Sequence, residues 1–164
     1  MKLLLASLIA LAFIAPAFAQ DATYTHDDEL ALQQCIEAIR DTNNTDYTEA
    51  TNQQDCIGAA AGLCQEKAEN SSTQGMVDCN QREQAWWDAQ LNTYYDELQS
   101  SLEPDVAESL KLAQRAWLKY RDAKCAFVDQ LWRGGTVHAV MASACVMDAT
   151  ATRALELGDA LPGQ

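Results

Sequence analysis

The stretch 76–102, MVDCNQREQAWWDAQLNTYYDELQSSL, decides the fold class. Its apolar positions, among them Trp87, Leu91 and Leu98, recur at steps of three, four and seven residues, which is the period of one helical face. Pro104 follows at once, and proline ends a helix or opens the next one. We therefore predict a long amphipathic helix here, with one face in the core.

The rest of the chain indicates more helices of the same kind. It is rich in Ala, Gln, Glu, Asp and Leu and has few runs of β-branched residues, a composition typical of helices. Short connections make neighbouring helices antiparallel. We predict an all-α fold, a small antiparallel bundle of about five helices, covering 29–40, 48–70, 76–102, 104–133 and 137–157.

Three further predictions concern individual positions in these helices. In the fourth predicted helix we expect the apolar residues to form one stripe that faces the core. We expect Thr136 to cap the last helix and Gly58 and Gly62 to allow a neighbouring element to approach closely. The residues of the core stripe are Val106, Leu110, Ala113, Trp117, Tyr120, Val128 and Leu131.

The amino-terminal segment has the features of a secretory signal peptide. Lys2 precedes the apolar run 3–13, and Ala17-Phe18-Ala19 forms an A-x-A cleavage site. We expect removal of residues 1–19, which leaves 20–164 as a single domain. The run is too short to span a bilayer comfortably, and no cysteine at the cleavage point provides a lipid anchor. We expect a periplasmic or secreted protein with no membrane association after cleavage.

Six cysteines lie in the expected exported part, and an even number there predicts three disulfides. No two have C-x-x-C spacing and the chain has only two histidines, so we expect no metal site and no cofactor. Residues equidistant from a turn face each other in an antiparallel helix pair. This favours Cys35–Cys56, Cys64–Cys79 and Cys125–Cys145, although Cys56–Cys79 with Cys35–Cys64 stays open.

The charge is concentrated in one half of the chain. The net charge of −13 becomes −14 on 145 residues when residues 1–19 are removed, because that segment holds Lys2 and no acidic residue. Residues 20–104 contain 17 acidic and three basic residues, and 105–164 contain seven of each. This argues against nucleic acid and anionic membranes as partners and favours a cationic partner. We expect the basic row Lys111, Arg115 and Lys119 to contact the acidic helices of the same molecule.

Residues suited to catalysis are few. The chain lacks the G-x-S-x-G, H-E-x-x-H and Walker motifs. We interpret His26 and His138 as surface histidines, and the many carboxylates as a solvated face. The sequence therefore favours a protein that is not an enzyme.

Two features suit contact with a partner. Trp86 lies about 100° around its helix from Trp87, so we expect one of the two to be exposed, and an exposed tryptophan is a candidate binding residue. Arg133, Gly134 and Gly135 predict a tight turn that projects as a tip. Trp87 and Trp117 are expected in the core.

Several motifs together resemble one family. They are L-N-x-x-Y at Leu91, Asn92 and Tyr95, and Q-x-x-W-x-x-x-R-D-x-x-C at Gln114, Trp117, Arg121, Asp122 and Cys125. A closing pattern follows at Gly134, Gly135, Thr136, Cys145 and 152–155, and Cys56 and Cys79 fit two earlier cysteines. In these residues the sequence resembles the LprI-type lysozyme-inhibitor-like N-terminal domain family over about 56–157. Cys35 and Cys64 stand outside the common pattern.

The resemblance implies an exported, helical domain linked to lysozyme inhibition, without catalytic residues. We expect structural roles for the motif residues. Arg121 and Arg153 need acidic or carbonyl partners if buried, and Asn92 can bond a neighbouring backbone group. The candidate partners of the two arginines are Asp88, Asp122 and Asp148.

Three functions remain open. The first is inhibition of a cationic lysozyme or another cell-wall hydrolase, with the tip in the sugar cleft and Arg133 paired with a catalytic carboxylate. The second is a periplasmic protein-interaction or envelope-stress domain that binds another envelope protein and does not inhibit lysozyme. The third, an enzyme, needs a deep pocket with convergent ionisable groups.

Overall fold

The computed structural model describes residues 23–40 and 52–162, and within them every regular element is helical. The predicted signal peptide, the predicted loop 41–48 and the predicted helix start at Thr48 lie outside these ranges. The all-α prediction is confirmed. The α-helices are α1 His26–Arg40, α2 Ala59–Gln65, α3 Thr73–Ser101, α4 Pro104–Leu131 and α5 His138–Asp159, and two short 3-10 helices, Gln53–Cys56 and Ala68–Asn70, flank α2.

The core forms mainly between α3 and α5, which share the most extensive contact in the molecule. Trp87, Leu91 and Leu98 of α3 belong to one buried cluster with residues of α5. The two helices come close at Gly158, where a Cβ atom would lie 3.2 Å from the Tyr94 ring. The predicted core face of 76–102 is therefore where the sequence placed it.

Helix α4 packs chiefly against α5 and has little contact with α3. Only Gln114 and Cys125 are buried on it, and Leu110 and Trp117 are partly buried against the core. The single core stripe predicted for this helix is wrong at four positions. Val106, Ala113, Tyr120 and Leu131 are exposed, because α5 covers only one side of α4.

The predicted helix 48–70 is interrupted. A 3-10 helix ends at Cys56, Ile57 is extended, and Gly58 has a φ of 95°, a left-handed conformation that favours glycine. The predicted close approach at Gly58 and Gly62 is wrong, since nothing lies within 4 Å of a Cβ atom built on either residue. Gly58 is needed because the backbone adopts a left-handed conformation there, just before α2 begins.

A buried carboxylate fixes α2 against α3. Glu83 is fully buried, and its two oxygens accept hydrogen bonds from the backbone N–H groups of Gly58 at 2.6 Å and Ala61 at 2.7 Å. The indole N–H of Trp87 donates a third bond at 2.9 Å. A carboxylate at the first turn of a helix satisfies N–H groups that have no partner within the helix.

The disulfides are those favoured by the sequence. Cys35 is bonded to Cys56, Cys64 to Cys79 and Cys125 to Cys145. They link α1 to the first 3-10 helix, α2 to α3, and α4 to α5. The alternative pairing is excluded.

A charged cluster holds α1 to α3. The Arg82 guanidinium donates to both carboxylate oxygens of Asp28, at 2.7 Å each, and Thr25 donates to the same carboxylate through its N–H and hydroxyl groups. Burial raises the pKa of the Asp28 carboxyl. The hydrogen bonds from Thr25 and the bond and charge of Arg82 outweigh it, so the pKa lies below its ordinary value.

The helix ends agree in part with the sequence. Pro104 opens α4 as expected, and Ser72 caps α3 by accepting a bond from the Gly75 N–H at 3.0 Å. The expected cap at Thr136 is wrong, because α5 begins after Val137 without a side-chain cap. None of the helices in 23–40 and 52–162 is long and apolar enough to cross a membrane.

Candidate functional site

The turn between α4 and α5, residues 131–137, forms a tip in which every residue is exposed. The chain reverses at Gly134, whose φ of 99° favours glycine. The Cys125–Cys145 disulfide joins the two helices behind this tip. A covalent link between the two helices limits how far the tip can move relative to the core.

The tip presents large apolar side chains to solvent. Leu131 and Val137 are exposed, and Trp132 is 44% exposed. Trp132 is not among the predicted partner-binding residues, although its position directly before Arg133 and the two glycines indicates a helix end and not a core position. Exposed tryptophan is common among residues that dominate binding energy.

Trp86, the tryptophan predicted to be exposed and to bind a partner, lies elsewhere in the molecule. Trp86 is only 4% exposed and belongs to the buried cluster of α3. Its ring contacts that of Trp87 edge to face, with centroids 4.8 Å apart. The expectation of an exposed Trp86 is therefore wrong, because α3 is covered on more than one side.

Charged residues surround one carboxylate below the tip. Asp129 Oδ1 lies 2.9 Å from His138 Nδ1, and Asp129 Oδ2 lies 3.7 Å from the Arg133 guanidinium. The hydrogen bond to His138 is the main reason that the pKa of Asp129 lies below its ordinary value, and the charges of His138 and Arg133 lower it further. The Arg133 side chain is 65% exposed, so most of its N–H donors face solvent.

A shallow groove of about 380 Å³ lies beside this cluster, between α3 and α5. It contains Asp129, His138 and Ser143, the three residue types of a hydrolase triad. The Ser143 hydroxyl, however, donates to the Val140 carbonyl at 3.0 Å and accepts a bond from the Asn80 amide at 2.9 Å. It makes no bond to His138, so the geometry provides no activated nucleophile.

The central motif of α4 has contacts within the molecule. Arg121 lies over the Trp117 ring at 5.3 Å and pairs with Asp122 at 2.9 Å. Asp122 is one of the three carboxylates that the sequence offered. Gln114 is buried and accepts a bond from Arg153 at 3.0 Å.

The other motif residues lie nearby on α3 and α5. Arg153 pairs with Glu156 at 2.8 Å, and not with Asp88 or Asp148 as expected. Asn92 donates to the Asp88 side chain at 3.2 Å, and not to a backbone group. Leu91 is buried and Tyr95 is partly buried against the core.

The basic row of α4 does not reach the acidic helices. Lys111 pairs with Glu108 on the same helix at 3.0 Å. Arg115 and Lys119 are exposed and form no ion pair with any residue of the described ranges. The expected internal neutralisation is therefore wrong for these two side chains, which remain available at the surface.

The fold and the tip define a small, disulfide-linked helical protein with an exposed turn. A family model described as lysozyme inhibitor LprI matches residues 64–157. This is more than half of the chain, and the chain belongs to this family. The match begins at Cys64, so α1 and the Cys35–Cys56 disulfide lie outside it. The expectation that Cys56 belongs to the common pattern and that Cys64 does not is therefore wrong.

A 50-residue segment is 42% identical to an uncharacterized protein of Rhizobium meliloti (strain 1021). The segment covers 30% of this chain and 36% of that protein, so the similarity spans about a third of the relative's length. No solved structure gives a significant match.

Proposed function

We propose that this protein is an exported binding protein that inhibits a cationic lysozyme or another cell-wall hydrolase. The observation that carries the proposal is the tip 131–137, seven successive exposed residues on a disulfide-linked helix pair in a member of the LprI family. Trp132 and Arg133 at this tip provide an apolar anchor and a cationic group.

The net charge supports a cationic partner. The chain has a net charge of −13, and residues 20–104 hold 17 of its 24 acidic residues. Complementary charge speeds association and discriminates against partners of like charge. A cationic hydrolase would be attracted to this half of the molecule before the tip makes contact.

The chemistry of the tip fits the cleft of such a hydrolase. Glycoside hydrolases ordinarily place two carboxyl groups beside the scissile bond. The Arg133 guanidinium can pair with one of them in a two-point contact, which is among the stronger charged interactions. Its own contact with Asp129, at 3.7 Å, is long, so little is lost when the guanidinium turns to a new partner.

The disulfides support an extracytoplasmic location. All six cysteines are paired, and disulfides persist in oxidising compartments. The signal-peptide pattern of residues 1–19 points to the same route. The periplasm and the extracellular space both fit this proposal.

The test is lysozyme turnover with increasing amounts of the protein and of two variants, Trp132→Ala and Arg133→Ala. We expect each variant to need about 30-fold more protein for equal inhibition, the effect of losing a dominant contact. Lys119→Ala removes an exposed basic residue of α4 away from the tip and serves as the matched control.

Two results would contradict the proposal in different ways. Absence of inhibition by the wild-type protein, across several lysozyme classes at low salt, would exclude the function. Inhibition that both tip variants retain in full would exclude the tip as the contact site.

The second candidate function is a protein-interaction or envelope-stress domain that leaves lysozyme active. It is favoured by the large apolar side chains at the tip, since Leu131 and Trp132 suit many protein surfaces. Binding to another purified envelope protein, lost in Trp132→Ala and without any change in lysozyme turnover, would favour this function.

A further inference from the structure

Helix α4 has a second apolar face that no described element covers. Six residues form it, with successive steps of four, four, three, four and four, and every one of them is exposed. We call this set the outer stripe. Its members are Leu112, Ala116, Tyr120, Ala123, Phe127 and Leu131.

The outer stripe is continuous along the helix. Its 19-residue span corresponds to about 28 Å, and it lies roughly 120° around the axis from the residues that face α5, such as Gln114 and Trp117. Single exposed apolar residues are common, but a contiguous apolar strip marks an interaction surface. A helix with apolar residues on two sides is typical of one that is covered on both.

We propose that the outer stripe binds the outer stripe of a second copy of this chain, with the two α4 helices antiparallel and the two-fold axis midway between Tyr120 and Ala123. A two-fold interface uses the same patch on both subunits. The steps of four, four and three are those of an 11-residue repeat, which pairs helices in a right-handed supercoil.

The charge distribution favours a second copy at this face. The whole chain is strongly acidic, so two copies repel each other over most orientations. Among the five α-helices, α4 alone carries more basic than acidic residues, five against four. Contact along α4 brings the two molecules together where the repulsion between them is weakest.

The sizes of the side chains are self-complementary about this axis. An antiparallel arrangement places residues at equal distances from the axis opposite each other. Phe127 then faces the small residue Ala116 of the second copy. Tyr120 faces the small residue Ala123 in the same way. Large residues opposite small ones let two helices interdigitate.

The area predicts a weak dimer. A strip about 28 Å long and one helix wide (about 10 Å) is smaller than the roughly 800 Å² that each partner contributes to a standard interface. We expect a dissociation constant in the range of about 10 to 100 µM.

The experiment is sedimentation velocity of the disulfide-bonded protein from about 1 µM to about 1 mM. Tyr120→Glu and Phe127→Glu should weaken self-association at least about 30-fold. Leu63→Glu is the matched control, because Leu63 is 55% exposed, Phe127 is 64% exposed, and both variants gain one negative charge. Leu63 lies on α2, outside the stripe, so the control should dimerise like the wild-type protein.

Thermal unfolding checks that each variant is folded. Substitutions at these exposed positions should leave the unfolding temperature unchanged. A photo-crosslinking aromatic residue placed at position 120 should yield covalent dimers, and the same residue at position 63 should not. Three outcomes overturn the proposal: a wild-type monomer at every concentration, equal weakening by Leu63→Glu, or no weakening by either stripe variant.

A lipid surface is the competing occupant, because the stripe is flanked by Arg115 and Lys119. Co-sedimentation with anionic and with neutral phospholipid vesicles measures this directly. Vesicle binding that Phe127→Glu abolishes, in a protein that remains monomeric, would assign the stripe to a membrane and overturn the dimer.

Discussion

The two longest helices, α3 with 29 residues and α4 with 28, differ sharply in what covers them. α3 buries seven side chains, and α4 buries two. The reason is position, since α3 lies against both α2 and α5, whereas α4 lies mainly against α5. The difference teaches that a helical period identifies a helix but not the number of its faces that meet the core.

The same two helices also differ in how they are held. α3 has directional polar contacts in its buried part: Glu83 accepts three hydrogen bonds, and the Asn80 amide bonds Gln65 at 2.8 Å and Ser143 at 2.9 Å. α4 has no such contact to a fully buried carboxylate. Its part-buried hydrogen bonds to other helices are Arg153 to Gln114, Gln99 to the Ala107 carbonyl and the Asp129–His138 pair, and the Cys125–Cys145 disulfide adds a covalent link. Each helix carries one disulfide, Cys64–Cys79 on α3 and Cys125–Cys145 on α4. Because α4 buries fewer side chains, its disulfide provides a larger share of what holds it.

The largest expected effect tests whether α3 is packed more tightly into the core than α4. Trp87→Ala should lower the free energy of unfolding by about 3–5 kcal/mol, because it leaves a cavity in the core and removes one donor to Glu83. Phe127→Ala on α4, the control, should change it by less than about 0.5 kcal/mol in dilute protein. Urea unfolding measures both. A loss above about 2 kcal/mol for Phe127→Ala would show that the outer stripe is packed within the monomer.

The next effect concerns the covalent link. Replacing Cys125 and Cys145 together by alanine should cost about 3 kcal/mol. Hydrogen exchange should show the loss concentrated in α4, while α3 keeps its protection. Equal loss of protection in α3 and α4 would contradict the distinction between the two helices.

The smallest effect depends on pH and extends the comparison to α1, which Asp28 and Arg82 hold against α3. The folded-state pKa of Asp28 is below the unfolded value of about 3.9. Its contribution to stability is therefore complete above that value and disappears as the pH falls through the folded pKa. Asp28→Asn should cost about 1–3 kcal/mol at pH 7 and should show a smaller loss of stability below about pH 4.

Urea unfolding at a series of pH values tests this prediction. Asp96→Asn, at an exposed position of α3, is the matched control and should follow the wild-type curve. An Asp28→Asn protein whose acid-induced loss equals that of the wild type would contradict the role of this carboxylate.

Most of the fold could be predicted from the sequence because it depends on residues that are close together along the chain. Helical period and Pro104 predicted the bundle. The distance of each cysteine from a turn favoured the three observed disulfides but left one alternative pairing open, which only the structure excluded. Gly58 shows the limit, since the break before α2 depends on the acceptors of Glu83, a residue distant in the chain. The burial of Trp86 was not predicted for the same reason, because it depends on which distant elements cover α3.

The candidate site was predicted in part. Two adjacent glycines indicated the exposed turn, and Arg133 lies on it as expected. The pairing of Asp129 with His138 depends on how α4 and α5 are rotated relative to each other across the turn. The helical period of the sequence does not determine this rotation. On α4, Trp117 and Tyr120 are three residues apart and were assigned to one face, but one faces α5 and the other belongs to the outer stripe.

The order of the disulfides has a consequence for how the chain matures. Of the connectivities that six cysteines allow, the molecule has the one in which each cysteine pairs with the next along the chain. Synthesis presents the cysteines from the amino end, so Cys56 is the first partner that Cys35 meets. If the cysteines oxidise in the order of synthesis, the native pairs form without reshuffling of a wrong bond.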